Sequence, residues 1–170
     1  MPEPMECVRS TVAAINRRDA AAVAGTLAPD VAFVDSHGRR VEGRATLMEG
    51  WQGYFELFPD YKIEIDKEQV ISGGVLVLGH ASGSYHGRKD RAWRIPIAVR
   101  AETKSGLVSL WQVFADTHLP FESMRCLSAC DRPGAEIDAN VVIRPLTVPS
   151  RPIRVAMFAS DQSAPTRFSA

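Results

Sequence analysis

Residues 51–65 read WQGYFELFPDYKIEI, and the hydrophobic period changes inside them. Trp51, Tyr54, Phe55 and Phe58 recur at three-and-four spacing, the apolar stripe of an amphipathic helix. Pro59 and Asp60 stop that helix. From Tyr61 the period is two: Tyr61, Ile63 and Ile65 alternate with Lys62, Glu64 and Asp66, as in a half-buried strand. The chain therefore hands over from helix to strand at one short turn.

Upstream, Leu47 extends the stripe, so the helix is expected over Gly43 to Phe58. Met5, Val8, Val12 and Ile15 predict another over Met5 to Asn16. Asp19 reads as the N-cap of an alanine-rich helix, Ala20 to Leu27, that Pro29 stops. Val31 to Val34 is a short strand, and Ser36-His37-Gly38-Arg39 a turn. Downstream, Val75, Val77, Gly79, Ala81 and Gly83 keep the period of two up to a turn at His86 to Asp90. Trp93, Ile95, Ile97 and Val99 make a further strand, and Lys104-Ser105-Gly106 feeds a last one, Leu107 to Asp116. Long strands joined by polar turns form an antiparallel meander. The fold class is α+β: three N-terminal helices on one strongly curved antiparallel sheet, enclosing a cone.

The last strand is apolar on both faces, with Leu107, Trp111 and Val113 on one and Leu110 and Phe114 on the other. A strand of that kind buries both. A homodimer packed sheet to sheet, anchored by Trp93 and Trp111, supplies the second cover; the C-terminal tail is the alternative.

Composition narrows the function. Lysine plus arginine equals aspartate plus glutamate, 20 each in 170 residues, which disfavours a chain built to grip nucleic acid or an anionic membrane. No apolar run is long enough to span a bilayer, and MPEPMECVRS does not read as a signal peptide. Cys7, Cys126 and Cys130 imply no disulfide framework and fit reduced thiols in the cytoplasm. Cys126 and Cys130 with His118 fall short of a zinc motif, which needs four placed ligands. No nucleotide loop or nucleophile elbow is present, so no cofactor is indicated. From Leu119 six prolines interrupt a serine- and arginine-sprinkled segment, with short strand candidates at Val141 to Ile143 and Ile153 to Phe158. Residues 1–118 are thus read as the domain and 119–170 as a partly irregular or disordered extension.

The strings VAAINRRDAAAVAGTLAPDVAFVDSHG, WQGYFELFPDYKIEI and SGLVSLWQVFAD, with the IPIA string before the last, resemble the NTF2-like superfamily in its SnoaL-like and ketosteroid-isomerase-like branch. The resemblance covers about residues 5–118 and implies a cone-shaped cavity, commonly in a homodimer. It implies a general base at Asp35, the aspartate just past the first short strand. The isomerase's oxyanion donors match Thr11 and Ala98, which cannot serve. Without such donors a developing enolate loses about two to three powers of ten in rate for each one absent. The aspartate–arginine–aspartate set of the epoxide hydrolase branch has no match: Val113 stands at its last-strand position. A SnoaL-type cyclase would use an aspartate acid/base, Asp35 or Asp116.

Read without that resemblance, Asp35 is either a base in an apolar cavity or the first residue of a turn. His37 is its neighbour in the turn. His80, with Ser82 and Ser84 on its face, is a second acid/base candidate or a solvent-facing residue. Arg100 shares a face with Ala98, and Gln112 and Phe114 share one with Asp116. A polar pair of Arg100 with Asp116 or Gln112 suits a ligand carbonyl, or is a structural ion pair. Trp51, Tyr54, Phe55 and Phe58 form an aromatic wall for a small hydrophobic ligand. Three functions follow: an isomerase or cyclase with Asp35 as base, a non-catalytic binder, or a dimerisation module with a filled cone.

Overall fold

The computed structural model of the chain describes residues 2–125. The strand candidates past residue 140, with Cys126 and Cys130, lie outside the described residues. Helices α1 (Pro4–Asn16), α2 (Ala20–Gly25) and α3 (Arg44–Leu57) precede most of the sheet. Strands β1 (Leu27–Val34) and β2 (Arg40–Glu42) lie between α2 and α3. Strands β3 (Lys62–Ile71), β4 (Gly74–Ser84), β5 (Ala92–Lys104) and β6 (Leu107–Ala115) follow, then helix α4 (His118–Arg125). No described helix is long and apolar enough to cross a membrane.

The six strands form one curved sheet in the order β2-β1-β6-β5-β4-β3. β3 to β6 are the expected antiparallel meander. β1 inserts beside β6 and runs parallel to it, a pairing that the local pattern does not reveal. Pro29 stands inside β1 and does not end a helix. It falls where the β1–β6 register shifts, between Leu27 and Ala32, so no ladder hydrogen bond is lost to its missing N–H. α2 ends earlier, at Gly25, with Asp19 capping its start by accepting from the Ala22 amide at 2.9 Å.

Single side chains pin the helices to the concave face. The Asn16 side chain bonds Ile63 in both directions, donating to its carbonyl at 2.9 Å and accepting from its amide at 2.7 Å, which fixes the end of α1 on β3. Asp60 accepts from the Ser84 amide at 2.7 Å and its hydroxyl at 2.6 Å, tying the α3–β3 turn to the end of β4. Gly43, at φ +93°, makes the sharp entrance to α3, a conformation that disfavours any side chain.

The sheet's faces are sorted by charge. Along β5, Trp93, Ile95, Ile97, Val99 and Ala101 are buried, while Arg94 and Pro96 are exposed and Ala98, Arg100 and Glu102 partly so. The first set faces the helices, because a polar group there would lose its water without a partner. Trp93 and Trp111 are 6% and 4% exposed within the single chain, so they are not outer-face dimer anchors. The outer face instead carries the row Leu78, Ala98 and Phe114 across β4, β5 and β6, with Phe114 50% exposed.

Candidate functional site

Between α3 and the concave face lies a cavity of about 70 Å³. Its walls come from four directions. α3 and the turn after it supply Trp51, Tyr54, Leu57, Phe58 and Tyr61; the strands supply Phe33, Ala81, Trp93, Ile95, Val99, Trp111 and Val113. Asp35, Ser36 and His37 stand at one rim, and Thr117, Pro120, Phe121 and Met124 of the α4 segment at the other. The aromatic side chains brace one another: Phe33 meets Trp51 edge-on at 6.5 Å, Tyr54 meets Tyr61 at 4.9 Å and Phe58 meets Trp93 at 5.4 Å. Such edge-on pairs are favourable beyond their buried area, so the wall is rigid.

Among the described residues Asp35 is the one carboxylate in this lining, and it is 7% exposed. It lines the cavity and holds the turn at the same time. Its Oδ1 accepts from the His37 and Arg39 amides, each at 2.9 Å, holding the turn, and Oδ2 accepts from Arg39 Nε at 2.7 Å. A carboxylate has about four lone-pair sites, and these bonds occupy three of them.

The other expected site residues divide sharply. Trp51, Tyr54 and Phe58 line the cavity, whereas Phe55 is not in its lining and stacks on Trp51 at 5.3 Å from outside. His80 lies on the outer face, its Nδ1 2.8 Å from Asp66 Oδ2. Arg100 pairs there with Glu102, and Gln112 and Phe114 share that face. Asp116 is exposed and accepts from the His118 amide at 3.0 Å, capping α4 rather than facing a ligand. His80, Arg100 and Gln112 share one reason, the sheet's polar parity, which must meet water; Phe114 follows them by register, and Asp116 lies past the end of β6. Of the positions matched to oxyanion donors, Thr11 is buried elsewhere, its hydroxyl 3.0 Å from the Cys7 carbonyl, and Ala98 faces outward. Among the described residues no three metal-ligating side chains cluster.

Sequence reasoning missed Tyr61, Trp93, Trp111 and the α4 residues as cavity wall. Tyr61 and the tryptophans were readable from parity, since each stands in register with an apolar run. α4 carries no such signal.

Burial pushes the phenols of Tyr54 and Tyr61 well above their ordinary value, so both stay protonated donors. Unfolded tyrosines ionise near pH 10, and the folded ones only above that. The stability they contribute is whole below about pH 10 and falls as pH rises, by about 1.4 kcal/mol per tyrosine per pH unit. In an alkaline titration tyrosinate absorbance from this pair should appear only with unfolding. Its appearance while the fold persists would contradict the assignment.

A family model for the SnoaL-like domain matches residues 8–111, most of the described chain. The chain belongs to the SnoaL-like domain family. Among curated proteins none matches. Solved structures similar to this SnoaL-like chain share its NTF2-like, ketosteroid isomerase-like fold. One is a protein of ketosteroid isomerase-like fold from Catenulispora acidiphila in complex with trimethylamine, 20% identical with TM-score 0.58, covering 66% of this chain and 86% of its own. Another is a proposed polyketide cyclase from Xanthomonas campestris, 20% identical with TM-score 0.60, covering 66% and 90%. An epoxide hydrolase of Mycobacterium tuberculosis is 15% identical with TM-score 0.61, covering 72% and 87%. At these identities the likeness is one of fold.

Proposed function

We propose that this SnoaL-like protein binds a small hydrophobic carbonyl compound in its cone, with Asp35 as the polar anchor. The observation that carries this reading is the lining itself: among the described residues, an aromatic and aliphatic wall interrupted by one carboxylate. A hydroxyl or enol group of the ligand would donate to Asp35, and the ring would lie against Trp51, Trp93 and Trp111.

Proton transfer next to the carbonyl is the second reading, favoured by Tyr54 and Tyr61. They bring phenol donors to a lining from which the matched oxyanion positions are absent. Epoxide hydrolysis is disfavoured, because a second carboxylate and an arginine are missing from the described lining. A homodimer belongs to the same proposal, its contact row now Leu78, Ala98 and Phe114; a single-chain mass in sedimentation would count against it.

Conversion of 3-cyclohexen-1-one to its conjugated isomer separates the two readings. If Asp35 is a base, the wild type accelerates the conversion and Asp35→Asn does not. If it is an anchor only, the wild type gives the buffer rate. Asp35→Asn should remain folded, about 1–3 kcal/mol less stable, since its Oδ1 still accepts from the His37 and Arg39 amides while the buried charge-assisted bond from Arg39 is lost.

A further inference from the structure

The cavity's volume, about 70 Å³, corresponds to roughly five to seven water-sized spheres. Pockets for drug-sized ligands occupy about 300–1,000 Å³. A single-ring compound is near the limit of this space, and a fused-ring one exceeds it. What limits the space at the rim is α4, which turns one side inward, with Pro120, Phe121 and Met124 in the lining, and leaves Leu119 and Glu122 exposed.

Among the described residues, α4 is held at its start, at the rim and toward its far end. Asp116 caps its first turn, and Thr117 joins it to β6. Phe121 meets the His37 ring edge-on at 6.1 Å, closing the gap to the rim that holds Asp35. At its far end the buried Arg91 donates from Nη1 to the Ser123 carbonyl at 2.9 Å. That contact ties the second turn of α4 to the segment that leads into β5. Every strand of the wall is held by a ladder on at least one side; α4 has none.

We propose that α4 is the lid of the cone, latched by Arg91, and that Phe121 and Met124 set the size of ligand that reaches the tryptophans. Latched, it admits single-ring carbonyl compounds; fused-ring ones bind only when it is displaced. The proposal rests on the small-ligand reading for its ligand class, but the closure itself is measurable without any ligand. All three tryptophans of the chain, Trp51, Trp93 and Trp111, line the cavity, so indole fluorescence reports on it alone.

In the unaltered full chain, α4 amides should exchange with solvent at least about tenfold faster than those of β5. Arg91→Met, which keeps bulk and removes the latch, should raise acrylamide quenching of the tryptophans severalfold. The pair Phe121→Ala with Met124→Ala should do the same and bind progesterone at least about tenfold tighter than the wild type. Affinity for 2-cyclohexen-1-one should change little. Exchange in α4 as slow as in β5, or quenching unchanged in folded variants, overturns the lid. Raised quenching with neither ketone bound leaves the lid standing and removes the ligand reading above.

Discussion

Phe58→Ala is expected to lower stability by about 3–5 kcal/mol, a large share of the ~5–15 kcal/mol available to a domain of this kind. Phe58 is 1% exposed at the junction of α3 and the sheet. Its ring touches Tyr54 at 5.0 Å, Trp93 at 5.4 Å and Tyr85 at 6.0 Å. Removing it takes away a buried ring and leaves the aromatic wall without its corner. The surroundings cannot collapse to fill the gap, because the strands are held in register by their ladders and the neighbouring rings already brace one another. Urea unfolding read by circular dichroism measures the loss. A drop below about 1 kcal/mol would mean that the wall is looser than its ring geometry implies.

Gly79→Ala should cost about 3 kcal/mol or more, for a different reason. A Cβ at this position would stand 2.0 Å from the Glu64 carbonyl oxygen and 3.2 Å from the Ile65 Cα. Both are backbone atoms of β3, at the register shift between Ile65 and Lys67. No rotamer can relieve that overlap, so the two strands must part, beyond the usual cost of overpacking. Gly53 is the control. A Cβ there meets nothing within 4 Å, and it lies inside α3, so Gly53→Ala should stabilise by about 0.5–1 kcal/mol. Opposite signs for one chemical change would confirm the register of β3 on β4; equal signs would contradict it.

These two positions also show what the sequence discloses. The switch from three-and-four spacing to two inside WQGYFELFPDYKIEI places α3 and the start of β3 to within a residue, because each is decided by its own periodicity. Gly79 among small neighbours announces either ligand space or a bulge, and only the opposite strand shows that it is a bulge. The cone's inner parity was legible too: β5 alternates Trp93, Ile95, Ile97 and Val99 with Arg94, Arg100 and, beyond Ala101, Glu102. Charges that must stay wet mark the outer face. That rule turns Trp93 and Trp111 inward and Arg100 and Gln112 outward. The parallel pairing of β1 with β6 and the seat of α4 are set by contacts distant in sequence, which no local period records.

Asp35 was legible as a turn residue and as a cavity carboxylate, and the two roles do not compete. Its Oδ1 serves the turn, and its Oδ2 accepts from Arg39.

The most direct test of the cone as the binding site is a titration of the protein with 2-cyclohexen-1-one, followed by nuclear magnetic resonance of the indole N–H groups. All three indole signals should move saturably, while the amides of Leu78, Ala98 and Phe114 on the outer face stay in place. Indole signals that do not move, or saturable shifts confined to the outer face, would contradict it.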